Sequence, residues 1–215
     1  MSHAPPSQDD WRTKPTDRFI LRWIKRHLSA RVTPRLITIH WMRPWMITLS
    51  AAALGVVAGL VFALGAGWLA GCVAAAAQVL DGVDGQFARL TRRQTTGGAF
   101  WDSVLDRYAD GALVIGLILY LVRAPAGMPL GLLMPLAALA VIGCSLVSYT
   151  TARGAALGLA TGRPTLASKG TRWAVIILCA WGSLIWHDLP LLALCYLALH
   201  PNLVVLSRLW RTRGT

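Results

Sequence analysis

Residues 81–110 read DGVDGQFARLTRRQTTGGAFWDSVLDRYAD. This stretch holds five of the nine aspartates in a 215-residue chain that has no glutamate. On a helix, Asp81 and Asp84 are three apart and share a face. Asp102, Asp106 and Asp110 are spaced by four and form a stripe. An apolar run from Trp68 towards Leu80 leads into the first pair, and another from about Ala99 to Val122 leads away from the second set. The pattern is that of two antiparallel helices whose acid-bearing ends meet on the same side of an apolar layer.

Further runs of the same kind flank this pair. The chain is 55% hydrophobic and 14% charged, whereas soluble domains carry about 25% charged residues. A membrane helix needs roughly 20 apolar residues. Trp45 to Leu64 supplies the first, and Gly65-Ala66-Gly67 turns the chain into the second. After the third come Met128 to Ala152, a short fifth run from Trp173 to Trp186, and Leu189 to Leu209, which contains Pro201 and Asn202. The expected fold class is all-α: a polytopic membrane protein with six transmembrane helices and an N-terminal amphipathic interfacial helix. Gly55/Gly59 and Gly67/Gly71 have the small-xxx-small spacing of close helix contacts.

The organisation expected is a disordered N-terminus over 1–15, an interfacial juxtamembrane region over 16–43, and a six-helix catalytic domain over 44–210. Thr16 is placed to N-cap the interfacial helix, with Asp17 in its first turn. Phe19, Ile20, Trp23, Ile24 and Leu28 form its apolar face. Residues 1–18 are polar and lack a signal-peptide pattern. The four cysteines sit singly in apolar runs and form no CxxC pair, which argues against metal binding or disulfides. His40, His187 and His200 are isolated and read as interfacial or structural.

The net charge of +12 flanks apolar runs instead of coating a polar domain. It therefore points to a lipid bilayer and not to nucleic acid. With the N-terminus inside, the three outer turns hold one basic residue, Arg123, and the other 20 lie on the inner side. The positive-inside rule then puts the N-terminus and the acid cluster on the cytoplasmic side of a cell (inner) membrane.

Four or five carboxylates brought together would repel one another, and ions at membrane depth are costly to desolvate. A divalent cation resolves both problems, and an all-oxygen donor set favours Mg²⁺, Mn²⁺ or Ca²⁺ over zinc. More than three carboxylates leave room for two ions about 4 Å apart, as in phosphoryl chemistry. Gly82, Gly85, Gly97, Gly98 and Ala88 allow a ligand close to the backbone, and Arg89 can pair with a phosphate. Salt bridging within the bundle is the alternative. It accounts for Arg107 with Asp110 but not for facing carboxylate stripes among glycines.

These residues resemble the CDP-alcohol phosphotransferase family, whose signature is D-x-x-D-G-x-x-A-R, about eight residues, then G-x-x-x-D-x-x-x-D. Asp81, Asp84, Gly85, Ala88, Arg89, Gly98, Asp102 and Asp106 fill every fixed position. The resemblance implies transfer of a phospho-alcohol group from a CDP-linked donor to a hydroxyl acceptor, release of CMP, and dependence on Mg²⁺ or Mn²⁺. By resemblance, Asp81, Asp84 and Asp102 hold the metal, and Asp106 is the catalytic base and a further ligand. Asp81, Asp84, Gly85, Ala88, Arg89, Gly98 and Thr48 line the CDP site. Many members carry Pro-Asn before the first span; here the matching pair is Pro44-Trp45, with Thr48 retained.

YTTARGAALG and SKGTR, over 149–158 and 168–172, look like the branch that makes phosphatidylinositol phosphate or di-inositol phosphates. That likeness assigns Arg153, Lys169 and Arg172 to the phosphate of an acceptor such as inositol phosphate or glycerol 3-phosphate. Arg163 is divided between that role and a membrane anchor. The resemblance further implies CDP-diacylglycerol or a CDP-polyol as donor, phospholipid biosynthesis as the setting, and a homodimer. Two other readings stay open: an inactive family member serving as a scaffold, and a cation channel or carrier using the Asp cluster.

Overall fold

The computed structural model describes residues 11–13, 19–123, 128–159 and 166–213. Thr16, Asp17, Arg163 and most of the 1–15 segment lie outside them. Among the described residues every regular element is helical. The order is α1 (Phe19–Ile24), a π-helical turn (Lys25–Ser29), α2 (Ala30–Ile37), α3 (Pro44–Ala63), α4 (Gly67–Leu90), α5 (Thr96–Arg123), α6 (Leu130–Ala156), α7 (Lys169–Gly182) and α8 (Leu189–Arg211).

Local chemistry sets these boundaries. Pro44 occupies the first turn of α3, where its missing N–H would have had no partner in any case. Gly65, at φ +93°, makes the reversal into α4 that a side chain would strain. Thr95 caps α5: its hydroxyl accepts the Gly98 N–H at 3.0 Å. Asp188 precedes α8, whose first turn holds Pro190.

The six long apolar runs thus form six helices, α3 to α8. Only α3, α6 and α8 are candidate membrane spans by length and composition. Helices α4 and α5 carry the charged motif, and α7 has 14 residues. That gives α7 a length of about 21 Å, against about 30 Å of hydrocarbon. The all-helical expectation holds, while six crossings are not confirmed. Large apolar side chains remain exposed over the bundle, among them Leu64, Leu132, Ile185 and Trp210, as suits a membrane protein.

Helix α3 is the spacer of the bundle. It packs along both α4 and α5, whereas α4 and α5 make little contact with each other. Helix α7 packs on α4, and α6 on α8. The backbones of α3 and α5 touch at Gly59 and Gly116, where a Cβ on either would collide with the facing main chain. Gly55 sits under Ala109 and Trp173. Gly67 and Gly71 meet Tyr120, Ser183, Ala180 and Trp181. On α8, Asn202 donates from its amide to the carbonyls of Ala198 and Leu139, which ties α8 to α6.

The juxtamembrane segment turns a few polar residues to the protein, together with Val32, Leu36 and Ile37, which pack against Ile47, Val83 and Phe87. Lys25, Ser29 and Thr33 are buried, while Phe19 and Trp23 are exposed at 88% and 52%. Ser29 donates to the Val79 carbonyl at 2.8 Å. Thr33 donates to the Gln86 side chain at 2.7 Å, and the Gln86 amide donates to the Lys25 carbonyl. Of the expected apolar face, Phe19, Trp23 and Leu28 are exposed, whereas Ile20 and Ile24 are half-buried.

Gly116→Ala is expected to destabilise the protein in detergent by about 1–3 kcal/mol, because the α3–α5 contact has no room for a methyl group. Gly111, with nothing near its Cβ position, serves as the control. Gly111→Ala should be neutral or stabilising by up to about 1 kcal/mol. Equal melting temperatures for the two variants would rule out the backbone contact.

Candidate active site

The two acid stripes meet across the gap that α3 keeps between α4 and α5. Asp81, Asp102 and Asp106 each bring a carboxylate oxygen to within 4.8 Å of the others. Lys169, the first residue of α7, reaches into this cluster. Its Nζ donates to Asp81 Oδ1 at 2.7 Å and to Asp106 Oδ1 at 2.5 Å. All three side chains of this ion pair are about one-fifth exposed. The ammonium meets part of the charge demand of the cluster, and the Trp173 ring lies 5.3 Å away on its flank. Three converging carboxylates form a hard oxygen donor set that fits Mg²⁺ or Mn²⁺.

The five aspartates do not act alike. Asp84 is buried and outside the three-oxygen group; its carboxylate accepts the N–H of Gly85. Asp110 is turned away from the cluster. It accepts Arg172 Nη2 at 2.7 Å and the Trp173 indole N–H at 2.5 Å. Arg107, the partner expected from sequence, is also present but longer, at 3.6 Å, and its side chain is 42% exposed. Arg172 is 2% exposed and also donates to the Cys144 carbonyl at 3.0 Å. Of the three residues expected at an acceptor phosphate, Lys169 is on the acid cluster, Arg172 anchors α7 to α5 and α6, and Arg153 is exposed in the last turn of α6.

The residues expected around CDP lie along the motif. Gly85, Ala88 and Arg89 follow the acids on α4, and Gly98 opens α5. Arg89 Nε donates to the Trp11 carbonyl at 2.8 Å, and the Gln86 amide donates to the Arg12 carbonyl at 2.9 Å. Residues 11–13, placed in the disordered tail by sequence, thus lie against the motif. Thr48 donates to the Pro44 carbonyl and lines a small cavity beside the acids. Gln78, Asp81, Asp106, Lys169 and Trp173 complete its polar rim, and alanines of α3, α4 and α5 form the rest. Trp45 is 51% exposed and does not line this cavity.

The sequence pattern assigns no role to Gln78, Gln86 or Trp173. Gln78 and Gln86 could have been found as lone amides one helical turn or so from the motif acids. Trp173 carried no signal beyond its place next to Arg172.

Residues 41–206 match the family described as CDP-alcohol phosphatidyltransferase. A bifunctional IPC transferase and DIPP synthase of Thermococcus kodakarensis is 32% identical over 137 residues, covering 64% of this chain and 30% of that protein. The chain thus spans about a third of the length of such bifunctional relatives. A phosphatidylinositol phosphate synthase of Cutibacterium acnes is 30% identical over 196 residues, covering 86% of this chain and 88% of that one. The fold matches the crystal structure of a Mycobacterium tuberculosis phosphatidylinositol phosphate synthase in complex with manganese and citrate. The TM-score there is 0.74 at 22% identity, covering 85% of this chain and 88% of that one.

Asp110→Ala would leave the Arg172 guanidinium buried without its carboxylate. It is expected to cost about 3–5 kcal/mol of stability. Arg107→Ala removes a largely solvated partner and should cost less than about 1 kcal/mol. Unfolding in detergent measures both, and equal small losses would deny Asp110 its anchoring role.

Proposed function

The chain belongs to the CDP-alcohol phosphatidyltransferase family, and from that premise we propose that it transfers a phosphatidyl group from CDP-diacylglycerol to a hydroxyl of a phosphorylated polyol, releasing CMP. The observation that carries this reading is the convergence of Asp81, Asp102 and Asp106 across the α4–α5 gap, with Lys169 paired to Asp81 and Asp106. Inositol phosphate is the favoured acceptor, supported by relatives named phosphatidylinositol phosphate synthase and archaetidylinositol phosphate synthase. Glycerol 3-phosphate is the comparison.

In this proposal Asp81, Asp84, Asp102 and Asp106 hold Mg²⁺ or Mn²⁺, with room for two ions. Bound there, divalent cations would neutralise the diphosphate and stabilise the departing CMP. Arg89 pairs with donor phosphate, Gly85, Ala88 and Gly98 give the nucleotide close access to the backbone, and the Thr48 hydroxyl stands at the cavity where donor and acceptor would meet. Asp106 takes the proton from the acceptor hydroxyl. The oxygen freed of its proton attacks the phosphorus that carries the lipid, and the bond from that phosphorus to the CMP oxygen breaks. Lys169 and Arg153 attract the acceptor phosphate, and Arg172 holds α7 so that Lys169 stays within reach of the acids.

All six long helices would cross the bilayer, the 14-residue α7 together with the turn residues 183–188 that follow it. The 20-to-1 distribution of basic residues supports a cytoplasmic active site. A homodimer belongs to the same proposal. A carrier is disfavoured, because Lys169 and Arg107 both pair with carboxylates of the acid stripe.

Purified protein with Mn²⁺ is expected to release CMP from CDP-diacylglycerol when inositol phosphate is present, and to lose the activity in EDTA. Asp106→Asn should lower turnover by about 10²–10⁴-fold while nucleotide still binds. Undiminished turnover would remove Asp106 from its role. Lys169→Ala should raise the acceptor KM more than the donor KM, and equal shifts would restrict Lys169 to a structural part.

A further inference from the structure

Gln78 is the one residue of the cavity rim whose polar atoms the protein leaves unsatisfied. It is 2% exposed. Among the described residues neither its Nε2 nor its Oε1 has a hydrogen-bond partner. Buried amides are costly to leave unpaired and are nearly always satisfied by protein, water or ligand. The neighbouring buried amide, Gln86, follows that rule with Thr33, Arg12 and Lys25 as partners. Gln78 instead borders the cavity that Asp81, Asp106 and Lys169 also line. It stands one helical turn before Asp81 on α4.

We infer that Gln78 is a specificity-determining residue that binds a second hydroxyl of the acceptor, next to the hydroxyl activated at Asp106. The chemistry of the amide selects this group. Both its donor and its acceptor are unmet, and a hydroxyl answers both. A lipid ester offers only acceptors. A phosphate would leave Oε1 facing an anion and is better served by Lys169. Position agrees: Gln78 is eleven residues before Arg89, about 16 Å along α4, so it lies far from the nucleotide end of the motif. Thr48, Ala51, Ala52, Ala77 and Ala109 keep the space beside it open.

This inference rests on the proposed acceptor class but is tested by binding, apart from turnover. Inositol phosphate, glycerol 3-phosphate and inorganic phosphate are titrated onto the Mn²⁺-loaded protein and its Gln78→Met variant by calorimetry. Melting temperatures and CMP release are measured alongside. The wild type should bind one polyol phosphate at least tenfold more tightly than inorganic phosphate. Gln78→Met should lose that preference, keep its affinity for inorganic phosphate within about twofold, and melt no lower than the wild type, since an amide without partners is removed. CMP release should show a raised acceptor KM and an unchanged donor KM. Retained polyol preference in Gln78→Met, or a wild type that binds polyol phosphates no better than phosphate, would overturn the assignment. So would a lowered melting temperature with binding unchanged, which would mark a structural water on the amide. Absence of CMP release from the wild type with every donor, alongside intact selective binding, would refute the transfer reaction and leave the Gln78 assignment standing.

Discussion

Three carboxylate oxygens within 4.8 Å of one another, at the edge of an apolar bundle, set the terms for the rest of the structure. At an effective dielectric near 20, each pair of unit charges at that distance repels by about 3 kcal/mol. The fold answers it in two ways. Helix α3 fixes the separation of α4 and α5 by packing on both, with bare backbone at Gly59 and Gly116. Helix α7, too short to be a simple span, delivers Lys169 into the cluster from a third direction.

That delivery has its own support. Arg172 and Trp173 follow Lys169 closely on α7, and both bond to Asp110. Asp110 is one turn beyond Asp106 on α5, so one stripe of α5 supplies both a carboxylate for the cluster and the anchor for its counter-charge. The Trp173 ring links the two, since its indole N–H meets Asp110 while its face flanks Lys169. The anchoring pair is buried and the cluster is partly open. The buried contact holds α7 in place, and the partly open one borders the cavity.

The helices were largely legible in the sequence because each apolar run is continuous and ends in Gly, Pro or charge. The expected first run, Trp45 to Leu64, differs from the observed Pro44–Ala63 by a single residue at each end. Asp81, Asp102 and Asp106 were legible for the same reason: helical spacing puts them on defined faces. The partner of Arg172 was not legible. Asp110 lies 62 residues away, and a basic residue beside Lys169 reads as part of the same phosphate site until packing shows which of them is buried. Nor could spacing reveal that α4 and α5 stand apart. A short loop implies neighbours, while the shared contact with α3 determines the gap. The π-helical turn at Lys25–Ser29 left no mark in the sequence either, although it places Ser29 and Thr33 on the buried side.

The scarcity of acid follows from the same constraint. A carboxylate within the bundle needs a counter-charge or a hydrogen-bond donor: Asp81, Asp106 and Asp110 each have a cation from α7, and Asp84 accepts the Gly85 N–H. Scattered acids elsewhere on the apolar helices would have none. Aspartate also suits the gap better than glutamate. With one rotatable bond fewer, it loses less side-chain entropy when fixed, and its carboxylate stays close to a backbone whose position α3 has already set. This requirement acts at the site alone. Asp188, half-solvated beside His187 at the start of α8, meets no such requirement, and nothing in the structure demands aspartate over glutamate at that position.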